Sequence, residues 1–168
     1  MTEHSRGIHL WVAGIFSSVL ILDQVTKYLV RSFMHPCVNV SVIPGFFDLV
    51  YVMNRGGAFG MLSTLPSCLR VIIFIGFSLI AIAALVVVYW KSHSAPSLRI
   101  AIAFLLAGAI GNLVDRLQWG MVVDFLDFYV GRYHWPAFNV ADSAICIGLG
   151  LVILNLFVTR DEKTAIGK

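Results

Sequence analysis

The residues with chemistry in them are mostly carboxylates, and their placement is uneven. Nine Asp and Glu occur in 168 residues, and six of them are Asp23, Asp48, Asp115, Asp124, Asp127 and Asp142. Asp23 and Lys27 are spaced i,i+4, which puts both on one helical face. Asn112, Asp115 and Arg116 fall within one turn, as do Asn139 and Asp142, and Asp124 lies in the segment between those two groups. Each acid alone has a plain structural explanation: Asp142 as a first-turn acid favoured by a helix dipole, Asp115 as a local partner of Arg116. Several converging on one place suggest a polar functional site. Two carboxylates held close cannot both ionise readily, so they share a proton. The ionised member can then activate water while the protonated one donates to a carbonyl oxygen, which is aspartic-protease chemistry. The competing use of carboxylates in a bilayer is a relay of protons or ions, as in a transporter or channel.

Other chemistries lack their anchors. Cys37, Cys68 and Cys146 show no paired metal spacing. Cys146 lies inside an apolar run and reads as a small apolar filler; Cys37 and Cys68 could pair, and two free thiols are the expectation. The five histidines are scattered, with no His-x-x-x-His or Glu-containing zinc motif. No metal and no cofactor is expected. A Gly-x-Ser-x-Gly elbow and a Walker loop are also missing.

The elements that must position these residues are apolar. The chain is 59% hydrophobic and 12% charged, against roughly half and a quarter in soluble domains. An ordinary soluble domain and a disordered chain are both excluded. The net charge is +3 and the basic residues are dispersed, so nucleic acid is not an expected partner. Residues 71–90 carry no formal charge, enough to cross about 30 Å of hydrocarbon as a helix. Residues 143–159, 100–114 and 8–22 are shorter uncharged runs. They predict a membrane α-helical fold in one domain, 1–168, with four transmembrane helices at about 8–30, 69–90, 98–117 and 140–159. A cleaved signal peptide is the other reading of the first run, but the stretch from Asp23 to Lys27 has no small-residue cleavage site.

Four spans put both termini on one side and all six acids on the other. Basic residues are denser in the short segments of the terminal side, which predicts cytoplasmic termini and periplasmic regions at about 31–68 and 118–139. In the first of these, Val38-Asn39-Val40-Ser41-Val42 alternates like a half-buried strand, Pro44-Gly45 marks a turn, and residues 46–53 form a second β-prone run. A small extramembrane β-sheet is expected there. The second region holds Trp119, Phe125, Phe128, Tyr129, Tyr133 and Trp135, an interfacial aromatic belt. A transporter should carry polar groups at mid-span; here the second span offers only Ser78. A one-sided site suits hydrolysis better than passage.

Five segments, in order, resemble the boxes of bacterial lipoprotein signal peptidase, signal peptidase II. They are Asp23-Gln24-Val25-Thr26-Lys27, Asn54-Arg55-Gly56-Gly57-Ala58-Phe59, Gly111-Asn112-Leu113-Val114-Asp115-Arg116, Val122-Val123-Asp124-Phe125 and Phe138-Asn139-Val140-Ala141-Asp142-Ser143. The resemblance covers nearly the whole chain. It implies a multi-pass inner-membrane aspartic endopeptidase, monomeric, needing no cofactor, with its site at the periplasmic face. Its substrate would be a diacylglyceryl-prolipoprotein met among membrane lipids, cut before the lipid-modified cysteine to release the signal peptide. By the resemblance Asp124 and Asp142 are the catalytic dyad. Asn54, Gly56, Asn112, Arg116 and Asn139 are matched polar or box positions around it, while Asp23 and Lys27 are structural or substrate-positioning. Gly57 stands where many members have Ala. The Asp-Thr/Ser-Gly box of soluble aspartic proteases and the Gly-x-Gly-Asp box of presenilin-like proteases are both absent, so any kinship with those is chemical.

Overall fold

The computed structural model describes residues 3–36, 38–56, 65–92 and 95–166. In chain order the elements are α1 (Glu3–Phe33), β1 (Val40–Ile43), β2 (Phe47–Asn54), α2 (Ser67–Lys91), α3 (Pro96–Trp119), β3 (Val122–Val130), β4 (Tyr133–His134) and α4 (Val140–Ile166). Among the described residues, four helices are long and apolar enough to span a membrane: Gly7–Phe33 within α1, α2, α3, and Val140–Val158 within α4. The fold is therefore four membrane helices with a small antiparallel sheet, ordered β1-β2-β3-β4.

The helices are unequal. α3 is central, packing on α1, α2 and α4, and half of its most apolar segment is buried in the protein, whereas none of that of α2 is. Small residues on α3, among them Ala101, Ala103, Ala107 and Gly108, are buried and let neighbouring backbones approach, the usual packing device where lipid supplies no hydrophobic drive between helices. α2 packs chiefly on α3 and presents apolar side chains elsewhere, as a lipid-facing helix should.

The sheet refines one expectation and corrects another. Residues 122–130, read in the sequence only as part of an aromatic region between spans, are a strand, β3, which pairs antiparallel with β2 from Phe47↔Phe128 to Asn54↔Val122. β3 escapes a period-two reading because four of its first five residues, Val122 to Phe125, are fully buried in succession, a pattern typical of a strand covered on both sides. β1 is exposed along its whole length rather than half-buried. It is the edge strand, touching only β2 in the sheet order, and the apolar contact with the helices is made further in, by Val123 and Phe125 against Val30, Met34 and Val140. Cys146 is also corrected: it is exposed on α4 and fills no interior space. Cys68 is a free, exposed thiol. Cys37 lies outside the described residues, as do Gly57, Ala58 and Phe59.

Candidate active site

Five elements meet at the sheet end of the helices: the last turns of α1 and α3, the first turn of α4, and the paired ends of β2 and β3. The first turn of α4 organises the meeting. Asn139 sits just before the helix, and its Oδ1 accepts from the Asp142 N–H at 2.9 Å, while the Asp142 carboxylate accepts from the Asn139 N–H at 3.3 Å. This reciprocal pairing is a capping box. A third acceptor comes from α1: Asp23 Oδ1 takes the Ala141 N–H at 2.9 Å. Helix starts leave such donors unpaired and carry partial positive charge, so two carboxylates settle there at little cost.

Asn139 also reaches the strand. Its Nδ2 donates to Asp124 Oδ1 at 2.7 Å and to the Val123 carbonyl at 3.2 Å. From β2, Asn54 Nδ2 donates to Asp124 Oδ2 at 2.8 Å, so both Asp124 oxygens hold an amide donor. Asn54 is itself steered, because its Oδ1 accepts the Gly56 N–H at 2.8 Å. Gly56 has φ +82°, and a Cβ there would run into the ring of Phe74, so only glycine suits the position. Burial pushes the Asp124 carboxyl up to about 6, with the neighbouring Asp142 charge adding to the rise, while the Asn54 and Asn139 bonds and the Lys27 charge oppose it.

Asn112 serves Asp142 as Asn139 serves Asp124: its Nδ2 donates to Asp142 Oδ1 at 2.8 Å. Arg116, one turn on, donates to the Asn112 carbonyl at 3.3 Å and lies 5.4 Å over the Phe74 ring. Asp142, Asp124 and Asp115 are the acids whose charges act on it. Behind these groups is a buried ion cluster. Lys27 Nζ is 3.0 Å from Asp23 Oδ2 and 3.2 Å from Asp115 Oδ2, and donates to Asn112 Oδ1 at 3.0 Å. Arg31 approaches the other Asp115 oxygen at 3.7 Å, and the Val123 N–H donates to Asp115 Oδ2 at 3.0 Å. Asp115 is thus the partner of two α1 cations and a strand amide, rather than a local partner of Arg116. Buried charges persist only when paired and bonded in this way.

The matched box residues Asp23, Lys27, Asn54, Gly56, Asn112, Arg116, Asp124, Asn139 and Asp142 come together at this end. Asp48 and Asp127 do not: Asp48 binds the Tyr129 hydroxyl at 3.2 Å and Asp127 meets His134 at 2.9 Å. The cross-element role of Asp115 is new, as are two supports of Asp23. Gln24 Nε2 donates to Asp23 Oδ2 at 3.0 Å and to the Gly111 carbonyl at 3.2 Å. At Gly111 a Cβ would lie 2.5 Å from the same Asp23 oxygen, so the absent side chain makes room for the carboxylate. The signal for both was present, since Gln24 and Gly111 adjoin Asp23 and Asn112 in sequence. Among the described residues, no three His, Cys, Asp or Glu side chains are grouped to hold a metal ion.

The chain is similar to known proteins over most of its length. The family model for signal peptidase (SPase) II matches residues 15–158. A protein called lipoprotein signal peptidase in Syntrophus aciditrophicus (strain SB) is 45% identical over 159 residues, spanning 94% of this chain and 96% of its own length. Another with that name, from Oleidesulfovibrio alaskensis, is 43% identical over 143 residues, 85% of this chain and 92% of its own. A bacterial membrane enzyme solved by the in meso method at 2.3 Å superposes with a TM-score of 0.80 at 35% identity, covering 90% of each chain.

Proposed function

The chain belongs to the signal peptidase II family, and from that premise we propose that Asp124 and Asp142 make it an aspartic endopeptidase cutting before the diacylglyceryl-modified cysteine. The chain is a multi-pass membrane peptidase that processes prolipoproteins. The observation that carries the finer reading is Asn139, one side chain that bonds both acids, donating to Asp124 and accepting from the Asp142 amide. Two acids on different elements are thereby held in fixed relation, with donors on their outer oxygens.

The environments assign the roles. Asp142 lies in the first turn of α4, where its carboxylate accepts an amide hydrogen from Asn112 at 2.8 Å, and it is the acid we assign to activate water. Asp124 is 1% exposed and its carboxyl is pushed up to about 6, so it carries the shared proton. Asp142 takes a proton from water as the water oxygen bonds the scissile carbonyl carbon, and Asp124 gives its proton to the carbonyl oxygen. The tetrahedral intermediate then loses the C–N bond: Asp142 passes its proton to the leaving cysteine nitrogen, and a hydroxyl proton returns to Asp124. Asp142 is then ionised again and Asp124 protonated again, so the pair resets after each turn. Arg116 and Asn54 orient the carboxylates around the scissile carbonyl.

Basic residues are denser in the short terminal segments, which supports cytoplasmic termini in the inner membrane and a site at the periplasmic face. There water reaches the acids while an acylated signal helix enters sideways from lipid. The test is single-turnover cleavage of a diacylglyceryl-prolipoprotein by purified protein, with Asp124→Asn and Asp142→Asn alongside and substrate capture measured in parallel. Released signal peptide with the parent protein and none with either variant, at undiminished capture, is expected. Near-normal cleavage by a folded variant overturns the aspartic mechanism.

A further inference from the structure

We propose that Lys27 is a positioning residue for hydrolysis: its ammonium locks the Asn112 side-chain amide in the one orientation that donates to Asp142. This rests on the reading of Asp124 and Asp142 as the working pair. Lys27 is fully buried, and the chemical steps above make no use of it. Its three hydrogens meet three acceptors: Asp23 Oδ2, Asp115 Oδ2 and Asn112 Oδ1. Since an ammonium only donates, the Asn112 atom facing it at 3.0 Å must be oxygen. That turns Nδ2 toward Asp142, where it donates at 2.8 Å. The other donor near Asn112 Oδ1 is Asn139 Nδ2 at 3.3 Å, whose two hydrogens are already engaged more closely by Asp124 and Val123. Lys27 is therefore the main anchor of the amide. Asp23 and Asp115 hold Lys27 in place from α1 and α3, and Arg31 balances the second acid. Around the pair the charged groups are Asp23, Lys27 and Arg31 on α1, Asp115 and Arg116 on α3, Asp124 on β3 and Asp142 on α4.

The experiment removes the ammonium without stranding a buried acid. Asp23→Asn is the reference, since its amide oxygen still accepts the Ala141 N–H, and Lys27→Met is added to it; Asp115 then keeps Arg31. Thermal unfolding in detergent is followed with kcat, KM and the pH profile on diacylglyceryl-prolipoprotein. Relative to the reference, kcat should fall about ten- to a hundredfold, the worth of one hydrogen bond to a charged group, with KM unchanged. The pH limb set by Asp124 should move up from about 6, because the Lys27 charge holds it down. In an Asn112→Ala background, adding Lys27→Met should cost nothing further in kcat, because the anchored group is gone. If Lys27 merely stabilises the fold, the two losses multiply, and that result overturns the proposal. Should the double variant fail to fold, Lys27→Gln in the Asp23→Asn background takes its place under the same criteria. Asp124→Asn and Asp142→Asn in the same assay separate the two failures: if they cleave, the dyad reading itself falls, whereas if they are dead and Lys27→Met is silent, only the lock falls.

Discussion

The two halves of β3 hold two aspartates, three residues apart, in opposite circumstances. Asp124 lies where the strand is covered by helices; it is 1% exposed, and its bonding partners are neutral amides from β2 and from the start of α4. Asp127 lies where the strand becomes a hairpin with β4, and it meets His134, whose side chain is half exposed. Both are nearly buried, so burial alone does not mark a working carboxylate. The difference is in the partners. An ionisable partner such as His134 can satisfy a carboxylate outright, whereas amides orient Asp124 without neutralising it and leave it near a second acid. A perturbed acid held by neutral donors beside another acid is the combination associated with function.

The comparison breaks first on the acids themselves. Asp124→Asn and Asp142→Asn should each remove nearly all turnover, and the double variant should be scarcely worse, because the two act as a unit; single-turnover rates decide this. Asn139→Ala comes next. It removes the side chain that donates to Asp124 and accepts the Asp142 N–H as the cap of α4, and should lower kcat about a hundredfold while costing about 1 kcal/mol of stability. Asn139→Ser, a good cap that does not reach Asp124, should recover the thermal stability but not the rate, which separates the two roles.

A smaller effect sharpens the contrast through pH. The shared proton leaves Asp124 near about 6, so kcat/KM should decline as pH rises through that value in the free enzyme. The Asn54 bond opposes the rise, so Asn54→Ala should move the limb to higher pH. Asp127→Asn should leave both the limb and kcat within about a factor of two, as expected for a change away from the reacting groups. A loss of turnover in Asp127→Asn comparable to that of Asp124→Asn would erase the distinction between the two halves of the strand.

Much of the site was legible in particular residues. The i,i+4 spacing of Asp23 and Lys27 foretold the ion pair now seen at 3.0 Å, and the Asn139-x-x-Asp142 spacing is that of a capping box. Other parts were hidden. β3 resembled a loop because its alternation is erased by burial on both faces, and β1 alternates yet buries nothing because it is an edge strand. Asp115 invited pairing with adjacent Arg116, but the helix turns it toward Lys27 and Arg31 of α1 instead.

By itself the sequence determined the class of molecule: four apolar helices and one end at which acids and amides gather. Hydropathy is a sum along the chain, so a bilayer reads it locally, and a charge beside an apolar run can go only to that run's end. Only the tertiary structure decided which donor faces which acid. Lys27 meets Asn112 across 85 positions, and Asp23 caps a helix that starts over a hundred residues later, at an amide 118 positions away. Hydrogen bonds act over about 3 Å and depend on direction, so their pairing exists only once the helices and strands have packed.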